Sequence, residues 1–174
     1  MSGHDERHNA DGALAEELKA HHAMMVADLD RLSTVLATAA AAGDDVTEPR
    51  TALTEWIRDV LVPHAEEEEQ TTYRAAGELS EGRLLIASML AEHVLIRRVA
   101  SLLVAAQDPA EAGAYGRALF QIFHSHQRKE NEMILPLLVD EDTVSLAAVM
   151  STAHGHGHGH GQSDAHIGDG EPRR

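Results

Sequence analysis

The chain has 174 residues, 43% of them hydrophobic, no cysteine and a formal net charge of −15. This length suits one domain with a sizeable core plus polar ends. The missing cysteines exclude disulfides, thiolate metal sites and cysteine nucleophiles and fit a reducing cytoplasm, while the acidic balance argues against nucleic acid or an anionic membrane surface as partner.

Residues 1–10 are polar and acidic, without the apolar stretch of a signal peptide, and are expected to be disordered. Later runs all fall short of transmembrane length. A first helix is predicted from Asp11 to Gly43, with the apolar stripe Leu14, Leu18, His22, Met25, Leu29, Leu32 and Leu36, closed by a Gly43-Asp44-Asp45 turn. Thr47 is the expected cap of a second helix, with Pro49 in its first turn and the stripe Leu53, Trp56, Val60, His64, Glu68. Pro63 inside this helix should kink it one turn before His64 and Glu68.

Ser80 is the expected cap of a third helix, whose stripe is Leu85 or Ile86, Met89, His93, Ile96, Ala100 and Leu103. Asp108-Pro109 opens a fourth, with Tyr115, Leu119, Ile122, His126, Glu130, Met133 and Leu137 inward and Pro136 near its end. A short fifth helix, about Thr143 to Met150, is expected over the bundle end. Strand-like alternation is not sustained anywhere, and the short connections predict antiparallel neighbours. The fold class is therefore all-α, an up-down-up-down four-helix bundle spanning 11–150. From 151 onward the chain turns into a His/Gly-rich tail, with His154 to His160 alternating with glycine, which cannot build a core and is expected to be disordered; loose chelation of Ni, Cu or Zn and no role at all are both open to it.

Two segments carry the chemistry. His64-Ala-Glu-Glu-Glu68 and His126-Gln-Arg-Lys-Glu130 both read His-x-x-x-Glu. Residues four apart on a helix are rotated by only about 40°, so each segment aims an imidazole and a carboxylate at one point. In so His- and Glu-rich a chain the motif alone is weak; phase and order make the argument. His22 and His93 interrupt the apolar stripes of the other two helices, giving the order H, HxxxE, H, HxxxE. A single inward histidine is most simply a hydrogen-bonded core residue. Four histidines and two glutamates on inward faces need shared compensation, and two cations supply it.

Some positions stay open. His21 and His22 cannot both face inward; His22 continues the Leu29 and Leu36 register. In the run Glu66 to Glu69 most carboxylates should be solvated, Glu68 lying a turn from His64 and Glu67 also within reach. His124 should point away from His126. Tyr73 lies about 180° from His64 on a continuous helix, and Tyr115 about 16 Å from His126, so neither is expected at the metals.

With His64, the double Glu and Tyr73, Glu92-His93, and His126 to Glu130 leading into Ile134-Leu-Pro136, the chain resembles the hemerythrin-like (HHE cation-binding) domains, non-heme di-iron four-helix bundles, over about Leu14 to Met150. The resemblance implies two iron ions joined by an oxo or hydroxo bridge, with Glu68 and Glu130 bridging, His22 and His64 on one iron and His93 and His126 on the other. Manganese and zinc also suit such ligands. Oxygen-carrying members have a second histidine four after the first on helix three, where this chain has Arg97, and an Asp in place of Glu130. More coordination positions would then be open, which favours reaction over reversible binding. The first expectation is handling of O2 or H2O2, chiefly peroxide dismutation. The alternatives are non-catalytic binding or sensing of iron, O2 or NO, and an O2-activating oxidase or oxygenase acting on a small organic substrate.

Overall fold

The computed structural model describes residues 3–154, all of it helix and connections, with no strand among the described residues. The elements are α1 (Gly3–Ala42), α2 (Thr47–Trp56), a π-helical turn (Ile57–Leu61), α3 (Val62–Gln70), α4 (Thr72–Glu78), α5 (Arg83–Ala105), α6 (Pro109–Lys129), a second π-helical turn (Glu130–Ile134), α7 (Leu135–Asp140) and α8 (Leu146–His154). α1 and α5 both pack along α6, α2 lies on α1, and α3 and α4 lie on α5. None of the helices is long and apolar enough to cross a membrane.

The first helix begins at Gly3, well before the expected Asp11 and inside the ten residues expected to be disordered. Tertiary contacts hold this extension: His8 Nδ1 lies 3.2 Å from the Val139 carbonyl. Asp11 is an anchor rather than a start. Its Oδ1 accepts from the Ala147 N–H at 2.9 Å and the Ser145 hydroxyl at 3.2 Å, which satisfies one of the free amides at the start of α8. α8 therefore runs Leu146–His154, a few residues later than expected, and rests on α1 and α4. The His/Gly repeat beyond His154 lies outside the described residues.

Caps follow local chemistry, twice differently from the sequence reading. Asp108 caps α6, accepting from Ala110 N–H at 2.7 Å with Pro109 in the first turn. Thr47 is not a cap but the first residue of α2; Asp45 accepts both its N–H and its hydroxyl, at 2.9 and 2.7 Å. Ser80 bonds Glu81, and α5 starts later, after Gly82. Gly43 ends α1 with φ of 75°, the left-handed conformation that glycine adopts without strain.

Each proline sits just past a widened stretch of helix. Pro63 and Pro136 each follow a π-helical turn, and in each the residue before the proline donates five residues back, Val62 to Ile57 and Leu135 to Glu130. A proline ring clashes with the carbonyl four residues earlier. Those carbonyls, of Asp59 and Glu132, sit inside the two wide turns, which make room for the ring. Each wide turn inserts one residue and shifts the inward face by one. Ile57, Leu61 and Ala65 are buried where Trp56 and Val60 were expected. Past Glu130, Ile134 and Leu138 are buried, whereas the expected Met133 is 50% exposed.

Two apolar clusters fill the interior. One gathers Met25, Leu29, Leu36, Leu53, Ile57, Leu61, Ile96, Leu103, Leu119 and Phe123. The other gathers Ala15, Tyr73, Ala76, Ile86, Met89, Ile134, Leu135, Leu138 and Leu146. On every long helix the residues between the two sets are polar: His22 on α1, His64 and Glu68 on α3, His93 on α5, His126 and Glu130 at the end of α6.

Candidate metal centre

Each helix brings its polar residue inward because the apolar residues on both sides of it, one turn away, are already committed to the clusters. His22 stands between Leu18 and Met25 and His93 between Met89 and Ile96, while His126 and Glu130 lie together between Phe123 and Ile134. All three histidines, with Glu68 and Glu130, are buried, and His64 is half-buried.

The six residues expected from the sequence converge in two groups that share both carboxylates. His22, His64, Glu68 and Glu130 form one, and Glu68, His93, His126 and Glu130 the other; in each group the candidate ligand atoms lie within 4.8 Å of one another. Glu68 Oε1 is 3.0 Å from His64 Nε2 and 3.6 Å from His22 Nε2, and Glu68 Oε2 is 3.6 Å from His93 Nε2. Glu130 Oε1 is 3.3 Å from His126 Nε2. Of the open positions, His21 and Glu67 are exposed and line the rim of a neighbouring cavity, His21 with its ring 5.6 Å from that of His64. His124 is exposed and stacks on Phe120.

Three of the Nδ1 atoms face outward to partners that fix their rings. His93 Nδ1 donates to Glu69 Oε1 at 2.8 Å, and Arg97 donates to the same oxygen at 2.7 Å. His126 Nδ1 donates to Glu92 at 3.0 Å, and Lys129 is paired with the other oxygen of Glu92. His22 Nδ1 donates to the amide oxygen of Asn131 at 2.7 Å. Two imidazoles are thus backed by carboxylates, one by a neutral amide. Such partners orient a ligand ring, and carboxylates also raise its basicity. Arg97 accordingly touches a partner of His93 and reaches no ligand atom of the site.

The electrostatics suit a bound cation. Burial pushes the Glu68 carboxyl well above the usual range, and the charge of Glu130 beside it pushes the same way. Burial also works against Glu130, but the hydrogen bond and charge of His126, then His22 and Tyr73, outweigh it and hold that carboxyl low. Two carboxylates sharing a buried site cannot both ionise without a positive neighbour. Burial likewise keeps His22 and His64 below the ordinary imidazole value, so both rings are neutral and ready to bind a metal. Glu68 Oε2 and Glu130 Oε2 are buried with no hydrogen-bond partner. An orphaned carboxylate oxygen is costly in a core and accounted for in a metal site.

Tyr73, not expected at the metals from its position in the sequence, is part of the site. Its hydroxyl donates to Glu130 Oε1 in a short hydrogen bond and lies 3.0 Å from His126 Nε2 and 3.5 Å from His93 Nε2. The helix carrying His64 ends at Gln70, and Thr71 leaves helical geometry at φ −117°, ψ −93°. Counting 100° per residue past that break gives the wrong face. Burial, then the charges of Glu130 and Glu68, raises the phenol's pKa.

A cavity of 90 Å³ adjoins the His22 and His64 side, lined by Leu18, Ile134, Leu135 and Met150 and floored by Glu68, Tyr73 and Glu130. A helical bundle crossed by such a layer of imidazoles and carboxylates is a cation-binding bundle in its donor chemistry. The chain belongs to the hemerythrin family: residues 13–138 match its model, the hemerythrin HHE cation binding domain. No curated protein and no solved structure matches the chain.

Proposed function

We propose that this chain holds two non-heme iron ions and reacts with peroxide or dioxygen, dismutation of H2O2 being the foremost reaction. His22 and His64 would hold one iron, His93 and His126 the other, and Glu68 and Glu130 would bridge. The way the four ligand-bearing segments pass between the same two apolar clusters supports an up-down-up-down order.

The observation that carries the reading is the pairing of two orphaned buried carboxylate oxygens with four imidazole Nε2 atoms, beside a cavity too small for more than a few water-sized molecules. A substrate the size of H2O2 or O2 fits it. Iron supplies the two-electron exchange that converts two H2O2 into O2 and two waters. The chain's residues do the rest. Apolar Leu18, Ile134, Leu135 and Met150 limit bulk water, Glu69 and Glu92 hold the imidazoles in one tautomer, and Glu68 gives up its proton as metal binds.

Oxygen evolution from H2O2 by the iron-loaded full chain, absent in His93→Ala, is the expected result. Iron-loaded protein that leaves peroxide untouched would refute the reaction and turn the reading to ligand binding or sensing.

A further inference from the structure

A phenol shares the space of one ligand group. Tyr73 is 2% exposed and arrives from α4, beyond the break at Thr71, whereas the six histidines and glutamates come from α1, α3, α5, α6 and the second π-helical turn. A residue that merely propped an imidazole would approach its outer nitrogen. In His93 and His126 those Nδ1 atoms already belong to Glu69 and Glu92. Tyr73 Oη instead lies against the two inner Nε2 atoms, at 3.5 and 3.0 Å, and against Glu130 Oε1. These are the donor atoms of one candidate group, and Oη stands on their inner side. The Tyr73 ring also stacks on His93 at 5.1 Å between centroids and 18° between planes, which fixes its direction.

We propose that Tyr73 is a fifth protein ligand of the metal held by His93, His126, Glu68 and Glu130, bound through Oη as a phenolate. The inference rests on the iron reading above. On binding, the O–H bond breaks, an Oη–metal bond forms and one proton leaves to solvent; no electron moves. A bound cation favours the phenolate over the phenol. A hard anionic oxygen suits a ferric ion better than a soft one. The His22 and His64 group has no such donor. Its neighbours are Gln127 Nε2, 3.4 Å from His64 Nε2, and the cavity. One metal position is thus closed by protein and the other stays open to a small ligand.

The test uses the oxidised, iron-loaded full chain. A phenolate on ferric iron gives a visible charge-transfer band and resonance-enhanced tyrosine ring modes in the Raman spectrum. Both are expected in the wild type, lost in Tyr73→Phe and kept in Tyr115→Phe, the chain's only other tyrosine. Phe preserves the ring packing, and circular dichroism with iron content checks that each variant is folded and loaded. Iron-loaded wild type without enhanced tyrosine modes, or a band that survives Tyr73→Phe, overturns this inference alone. A wild type that takes up no iron overturns the metal reading and this inference with it.

Discussion

Arg97 and His93, one helical turn apart on α5, share a single oxygen: both donate to Glu69 Oε1, at 2.7 and 2.8 Å. The arginine that stands where oxygen carriers are expected to have a further histidine thus holds the carboxylate that orients His93. At His126 a carboxylate is again held by a cation, but Glu92 takes His126 on one oxygen and Lys129 on the other.

Glu69→Gln and Glu92→Gln should each weaken metal binding by roughly 10- to 100-fold, the usual cost of losing an outer partner of a metal ligand. Asn131→Ala removes only a neutral amide behind His22 and should cost less. Competition with a chelator of known affinity measures all three. Equal losses would mean that the charge behind the imidazoles does not matter.

Neutralising Glu68 should separate stability from metal binding. Its folded carboxyl is raised, so the folded state binds more protons than the unfolded one between the ordinary value of 4.5 and the folded value. Stability from this group is present at low pH and lost as pH rises through that window. Metal-free Glu68→Gln should therefore melt higher than metal-free wild type at pH 8, while binding less metal. Thermal melts of both in excess chelator decide it; a lower melting temperature for the variant would contradict the account.

His22 and His64 have the opposite sign. Both are depressed in the fold, so the unfolded state binds more protons below the ordinary value of 6.5. Their contribution is present above that value and lost as pH falls through the folded values. Metal-free His22→Gln should be less sensitive to acid below pH 6.5 than the wild type, as read from melting temperature against pH.

Gly82 has a steric role. A Cβ there would stand 1.9 Å from the Ala76 carbonyl oxygen, which is backbone and cannot swing away. Gly82→Ala should cost about 3 kcal/mol, the upper end of ordinary substitutions, measured as a fall in denaturant midpoint.

What the sequence revealed followed helical continuity. On α1 and α5, unbroken through the site, constant phase put His22 and His93 on the buried face with Met25, Leu29, Met89 and Ile96. Around Pro63 and Pro136 the wide turns moved the apolar face by one residue, exchanging Trp56 for Ile57 and Met133 for Ile134. His64 precedes its turn's downstream partner Glu68 on one unbroken helix, and Glu130 lies just where the second wide turn opens, so both His-x-x-x-Glu spacings survived. Tyr73 was hidden by the break at Thr71. Glu69 was indistinguishable within an acidic run that looks solvated, because its partners His93 and Arg97 are 24 and 28 residues away. Glu92, next to His93, was visible as a local string but not as the partner of His126.

The most direct test of the metal centre is the iron content of purified full chain reconstituted under one set of conditions. Two irons per chain are expected in the wild type and in His124→Ala, whose ring is exposed on Phe120, with at least one lost in His126→Ala and in Glu68→Ala. Full iron content in His126→Ala and Glu68→Ala, or none in the wild type, would contradict the assignment of these residues as the metal site.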